Sequence, residues 1–207
     1  IVKKIIFLLF FLIYSFSLIG ANLSFSGGKS SLSLKEGKEE VTLSDGATVK
    51  LDDMEITADK IVLSGSDWRY VKCEGSALIK DESRGLEIRA LDIFFDRTEQ
   101  TLSIASWFEI NDIEQEITAM GGSMYFDMDK EIIELSQQAK LFKITERGIM
   151  RCSSESMIFD RSKNTLALMS NSLIEWDKDE YRAEVISVDL DSNKIKLEGR
   201  IEGTING

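Results

Sequence analysis

The stretch Glu87–Ile110 reads EIRALDIFFDRTEQTLSIASWFEI, and the rest of the chain repeats its pattern. An apolar alternation runs into a small residue and a Phe-Asp pair, and a second alternation follows a polar turn. Aligned on Asp96, the pattern recurs at steps of roughly 30 residues. The equivalent positions are Lys35, Ser64, Asp127, Asp160 and Asp189. A repeat with two strands and no helix predicts a stacked β architecture.

Each full copy contains a one-residue slip in its apolar alternation. Ile88 and Ala90 share one parity, whereas Leu91, Ile93 and Phe95 share the other. Because such a slip turns the buried face outward unless the strand bends, we expect every strand to fold over at this point. The small residues before the slips are Ala58, Ala90, Gly121, Ser154 and Ala183. We call the strand before each polar turn the outgoing strand and the strand after it the returning strand. The returning strands are interrupted at Gly75, Ser106, Gln137, Ser170 and Gly199.

Bent strands stacked in one direction predict an all-β fold. We expect a single elongated β-jellyroll of about six two-strand repeats, open at both ends, with an apolar trough between its arms. The chain has 207 residues and no proline, which suits uninterrupted strand ladders. No polar link is long enough to divide the domain, which we expect to span residues 22–207.

The composition of the chain argues against several classes of function. The net charge of −11 argues against binding nucleic acid, since that requires Lys and Arg to neutralise phosphates. The chain has no histidine, so the commonest general base and metal ligand is missing. No carboxylate pair stands out among the 36 acidic residues. We therefore expect a protein that is not an enzyme and has no metal or cofactor.

Residues 1–21 differ from the rest of the chain. Lys3 and Lys4 precede a nearly unbroken apolar run, and Gly20 and Ala21 follow it. This order of basic, apolar and small residues is typical of a secretory signal peptide, which predicts export. The alternative is an uncleaved membrane anchor, although the run is short for a membrane span.

Three sets of side chains have alternative interpretations. The aspartates that follow the outgoing strands suit either a calcium repeat or turn formation, and the absence of glycine-rich loops favours turns. Cys73 and Cys152 are expected to point inward, either as two buried thiols or as a disulfide. Trp68, Trp107 and Trp176 lie near turns or strand ends, where they edge the trough or simply pack.

Several segments resemble the OstA-like repeats of the periplasmic lipopolysaccharide-transport proteins, the LptA group. They are MEITADKIVL, SMYFDMDKEIIEL, MIFDRSKNTLAL and YRAEVISVDLDSNKIKLEG, and the resemblance covers residues 30–207. The resemblance implies a slightly twisted β-jellyroll without enzymatic activity. Proteins of this family stack end to end between the inner and outer membranes. LptC and the amino-terminal domain of LptD carry the same fold and are the partners that the resemblance implies.

The resemblance also implies that lipid acyl chains travel along the apolar groove. The lining carried over to this chain comprises Ile61, Leu63, Ile93, Phe95, Met124, Phe126, Met157, Phe159, Ile186 and Val188 on the outgoing strands, with Phe108, Ile110, Leu141 and Ile174 on the returning arms. The alternative is that these stripes form an ordinary packed core. No basic cluster is evident for a phosphorylated sugar head group.

These observations predict a periplasmic carrier of lipopolysaccharide or a similar glycolipid. The exposed edge of the last strand predicts assembly through terminal strands, either with LptC-like and LptD-like proteins or head to tail with a second copy. One alternative is a membrane-anchored LptC-like subunit. Others are a structural or adhesive β-solenoid with a sealed core, and a carbohydrate-cleaving β-solenoid.

Overall fold

The computed structural model describes residues 23–35 and 38–206, so the expected leader lies outside the described residues. The strands are β1 (Leu23–Ser26), β2 (Lys29–Lys35), β3 (Lys38–Leu51), β4 (Met54–Ser64), β5 (Tyr70–Asp81), β6 (Leu86–Asp96), β7 (Thr101–Ile104), β8 (Phe108–Asp112), β9 (Ile117–Gly121), β10 (Ser123–Asp127), β11 (Ile132–Thr145), β12 (Gly148–Asp160), β13 (Thr165–Trp176), β14 (Asp179–Asp189), β15 (Lys194–Glu198) and β16 (Glu202–Thr204).

The strands form one continuous antiparallel sheet. All sixteen belong to it, and each long strand pairs with the strands before and after it in the chain. The helical content of the described residues is a single 3₁₀ turn, Ser66–Trp68. None of the described residues lies in a helix that is long and apolar enough to cross a membrane. The predicted all-β class is confirmed.

The sheet is folded in two, because its long strands bend where the sequence predicts. In the pairing of β4 with β5 the register shifts between Thr57 and Lys60, on either side of Ala58. In the pairing of β12 with β13 it shifts between Ser153 and Ser156, next to Ser154. The strand breaks completely at Gly122, which lies between Gly121 at the end of β9 and the start of β10. The bends align in successive strands and form one side of the molecule, which we call the bend side.

The bends divide the sheet into two facing layers. The first layer contains the arms Ala47–Leu51, 54–57, 77–81, 86–90, β8, β9, 139–145, 148–154, 172–176 and 179–183. The second layer contains β2, the arms 38–44, 60–64, 70–74, 92–96, β7, β10, 132–136, 156–160, 165–169 and 185–189, and β15. The strands stack along a single direction, so the molecule is elongated.

Where the returning strands cross the bend, their backbone φ angles lie in the left-handed region. Positive φ angles occur in pairs at Gly75–Ser76, Gln137–Gln138 and Ser170–Asn171, at the interruptions that the sequence shows. Gly75 is required twice over, because its φ is +74° and a Cβ there would lie 2.3 Å from Asp59 Oδ2. The slip in parity is therefore a corner at which both arms keep their apolar faces inward.

The aspartates at the strand ends build the turns. Asp96 Oδ1 accepts hydrogen bonds from the backbone N–H groups of Thr98 and Glu99, and Asp189 Oδ1 accepts them from Asp191 and Ser192. Asp127 and Asp160 do the same for the residue three positions on. These are turns closed by aspartate side chains, the second of the two interpretations offered by the sequence.

Candidate functional site

The fourteen residues predicted to line a groove all face the space between the layers. Each is at most 3% exposed. The ten from the outgoing strands lie in the second layer, and the four from the returning arms, Phe108, Ile110, Leu141 and Ile174, lie opposite them in the first. They form one cluster with the other inward side chains. The sequence therefore places these residues on the correct face of the sheet, whereas a role in binding lipid stays a prediction.

The space between the layers is closed in this structure. The core cluster runs without a break from Val41 near one end to Leu190 near the other. A cavity of about 10 Å³ lies among Ile110, Leu141 and Phe159. That volume is at the threshold for one water molecule, and the lining is mostly apolar. The trough expected from the sequence is thus filled by its own side chains.

The two layers meet differently on their two sides. On the bend side the backbone passes from one layer to the other. On the opposite side, which we call the seam, the layers end in separate turns, and side chains alone join them. The seam turns are 52–53, 82–85, 113–116, 146–147 and 177–178 in the first layer and 65–69, 97–100, 128–131, 161–164 and 190–193 in the second. A ligand that enters between the layers without breaking the sheet must enter at the seam or the ends.

A cleft of about 280 Å³ opens at the seam. Its apolar residues are Leu51 and Met54 from the first layer and Phe95 from the second. Arg84 and Arg97 also line it, together with several aspartates. One of the predicted lining residues, Phe95, therefore borders a space that is open to solvent.

Sequence reasoning missed a buried ion pair that joins the layers. Asp112 at the end of β8 in the first layer accepts a hydrogen bond of 2.6 Å from Arg161 Nε in the second. Their side chains are 3% and 4% exposed. One signal was present, because Asp112 continues the inward parity of Phe108 and Ile110. No pattern in the sequence pointed to Arg161 as its partner, 49 residues away.

Other seam arginines pair within their own layer. Arg69 Nη2 lies 2.7 Å from Asp96 Oδ2, and its hydrogen bonds hold the pKa of Asp96 below the usual range. Arg147 lies 3.2 Å from Asp179, and its guanidinium carbon is 4.4 Å from the centre of the Trp176 ring. These pairs fix turns to strands within one layer and do not join the two layers.

The remaining predicted positions resolve as follows. Cys73 and Cys152 are free, buried thiols. Trp176 is buried and donates a hydrogen bond to Thr145 Oγ1. Trp107 is 52% exposed on the bend side, away from the seam. Among residues 23–35 and 38–206, no three His, Cys, Asp or Glu side chains are grouped as a metal site requires.

The chain is similar in structure to a known protein, although it matches no family model. No curated protein matches it either. Among solved structures it is similar to LptH of Pseudomonas aeruginosa, described as the LptA homologous periplasmic component of the lipopolysaccharide transport device. The alignment covers 90% of this chain and 96% of LptH, at 9% identity and a TM-score of 0.30. The fold described above rests on the hydrogen-bond ladder of this chain itself.

Proposed function

We propose that this protein is a non-enzymatic lipid carrier that takes up the acyl chains of a lipopolysaccharide or similar glycolipid between its two layers. The observation that supports the proposal most is a continuous apolar interior whose walls are joined by backbone on one side only. Burying hydrocarbon there is favourable by about 25 cal/mol per Å² of apolar surface removed from water. Met124 and Met157 face this interior, and methionine side chains repack readily around a foreign chain.

The carrier acts outside the cytoplasm, in the periplasm, under this proposal. Support comes from residues 1–21, whose composition is typical of an export signal. An LptC-like role with the leader retained as an anchor is the variant of the same proposal. Amino-terminal sequencing of the protein purified from cells distinguishes the two, because cleavage near Ala21 excludes the anchor.

Assembly through the terminal strands completes the proposal. At one end β2 pairs with β3 alone among the described strands, and Leu32 and Leu34 are 59% and 67% exposed. At the other end β15 and β16 each pair with β14, and Ile201 is 55% exposed. Edges of this kind recruit strands from partners. We expect head-to-tail contacts with a second copy or with LptC-like and LptD-like proteins.

Sedimentation velocity tests the assembly. Leu34→Asp is expected to abolish any concentration-dependent oligomer, because it places a charge on the edge surface. Leu91→Asp is the matched control, since Leu91 is 61% exposed on the bend side, away from the terminal edges. Equal effects of the two substitutions contradict assembly through strand edges.

Photo-crosslinking in cells tests lipid binding. A crosslinking amino acid at Phe95, which borders the cleft, is expected to capture a lipid that mass spectrometry identifies. The control is the adjacent Phe94, which is 42% exposed on the outer face of the same strand. A second pair is Phe126 and Tyr125, which face inward and outward on β10. Capture at both members of each pair, or at neither, contradicts the carrier.

A structural or adhesive β-solenoid is the second candidate, and the closed interior favours it. Side chains that fill the space between the layers, as they do around the cavity of about 10 Å³, suffice to hold a scaffold together. This candidate predicts no lipid at Phe95 or Phe126.

A further inference from the structure

The ion pair between Arg161 and Asp112 holds the layers together at the seam. Besides its bond to Asp112, Arg161 donates from Nη2 to the backbone carbonyl of Arg84 at 3.0 Å. Its Nη1 lies 3.4 Å from Glu131 Oε1. A single guanidinium from the second layer thus binds both the end of β8 and the turn 82–85 of the first. Separating the layers at this point requires Arg161 to release both.

The pair contacts the lining of both spaces described above. Arg84, whose carbonyl Arg161 binds, lines the cleft at the seam. Asp112 lines the small interior cavity. Ile110, Leu141 and Phe159, three of the residues predicted to contact lipid, surround that cavity with it. Arg161 therefore connects a residue that lines the cleft with a residue that lines the interior cavity.

Stability alone does not explain a charged pair at this position. Replacing a buried ion pair by apolar side chains of similar size is often neutral or stabilising, because both charges lose their hydration on burial. An apolar contact at this position resists opening, because opening it exposes two apolar surfaces to water. When an ion pair separates, water hydrates both charges. An ion pair at the edge of a core therefore opens and closes reversibly.

We propose that Arg161 and Asp112 form a latch that controls the passage of a single hydrocarbon chain from the seam cleft into the interior. This inference rests on the proposed lipid-carrier function and specifies how its site is opened. When the latch separates, the seam opens locally while the bend side and the strand ladder stay intact. When it closes, the interior is sealed as the structure shows it.

Thiol labelling measures the opening without any lipid. Cys152 is the reporter, because it is 2% exposed and pairs across strands with Leu141 beside the cavity. In a Cys73→Ala background, N-ethylmaleimide reacts with Cys152 only when the interior opens. Arg161→Met leaves Asp112 buried without its cation, and we expect labelling to accelerate by about tenfold or more.

Arg182→Met is the matched control. Arg182 Nε lies 2.6 Å from Glu180 Oε1, the same distance as in the latch, but the two side chains are 51% and 41% exposed on one layer. We expect its labelling rate to stay within about twofold of the unsubstituted background, as for an exposed pair. An unchanged rate in folded Arg161→Met overturns the latch. So does an acceleration whose urea dependence equals that of global unfolding.

The double variant Asp112→Leu/Arg161→Met keeps the test decisive if Arg161→Met does not fold. This variant, with its apolar pair, is expected to fold and to react with N-ethylmaleimide no faster than the unsubstituted protein.

In cells, a crosslinker at Leu141 is expected to capture lipid in the unsubstituted protein and to capture none in the double variant, while a crosslinker at Phe95 still captures lipid. Capture at Leu141 in both overturns the latch and leaves the carrier intact. No capture at either site in the unsubstituted protein overturns the carrier.

Discussion

Phe126 shows what a single side chain contributes to the interior. It is fully buried in the second layer, whereas its neighbour Tyr125 is 41% exposed on the outer face. Phe126→Ala is expected to lower the free energy of unfolding by about 3–5 kcal/mol, through lost burial and the cavity left behind. Tyr125→Ala is expected to cost under about 0.5 kcal/mol. Urea titrations measure both, and similar losses contradict the inward and outward assignment.

The two buried thiols make the free energy of unfolding depend on pH in the alkaline range. Burial raises the pKa of Cys73 and of Cys152 from 9.0 to about 12. Unfolded thiols ionise near the ordinary pKa while folded ones stay protonated, so the thiols stabilise the fold fully below pH 9. This contribution is lost as the pH rises from about 9 towards 12. The free energy of unfolding is expected to fall by up to about 1.4 kcal/mol per pH unit for each thiol.

The double variant Cys73→Ala/Cys152→Ala isolates the thiol contribution from that of titrating lysines. Its free energy of unfolding, measured in urea between pH 8 and about 11, is expected to decline less steeply than that of the unsubstituted protein. Parallel profiles mean that the thiols are not buried as described.

Within a strand, the bend depends on glycines at which the backbone conformation or the neighbouring atoms exclude a side chain. Gly46 and Gly75 both have positive φ, but a Cβ at Gly46 meets no atom within 4 Å. Gly46→Ala therefore measures backbone strain alone, which we expect to cost about 1 kcal/mol. Gly75→Ala adds a clash with Asp59 and is expected to cost at least about 1 kcal/mol more.

Thermal denaturation compares the two glycine variants. In an Asp59→Gly background the extra loss in Gly75→Ala is expected to disappear, because the clashing side chain is gone. Equal losses at Gly46 and Gly75 in the unsubstituted background mean that close packing of the two arms plays no part in the corner.

The strand elements were largely predictable because their signal is local. Inward side chains alternate along each arm, so the slip at Ala90 identifies a bend without knowledge of the neighbouring strands. The split of the fourth outgoing strand into β9 and β10 was not predicted. It coincides with Gly121 and Gly122, where a Cβ at Gly121 would lie 3.0 Å from Ser136 O.

At the scale of the whole molecule, stability is expected to be graded along the stack. Every residue of β2 and β16 is exposed, whereas β12 and β13 in the middle of the stack alternate between buried and outward residues. Terminal repeats have neighbours on one side only. Amides of Lys29–Lys35 and Glu202–Thr204 are expected to exchange with deuterium at least about 100-fold faster than the ladder-bonded amides of β12 and β13.

Hydrogen-exchange mass spectrometry at two protein concentrations carries the control. If terminal strands pair with a second copy, protection is expected to rise with concentration in β2 and β16 and to stay constant in β12. Uniform protection along a dilute chain contradicts the graded stack.

The repeat, the two faces of every strand and the positions of the bends follow from the sequence, because each depends on side chains a few residues apart. It also identified the fourteen inward residues, for the same reason. The closed interior and the contact between Asp112 and Arg161 become visible only in the folded molecule. Those contacts depend on how two twisted layers rest on each other, and no periodicity along the chain encodes which turn of one layer faces which strand end of the other.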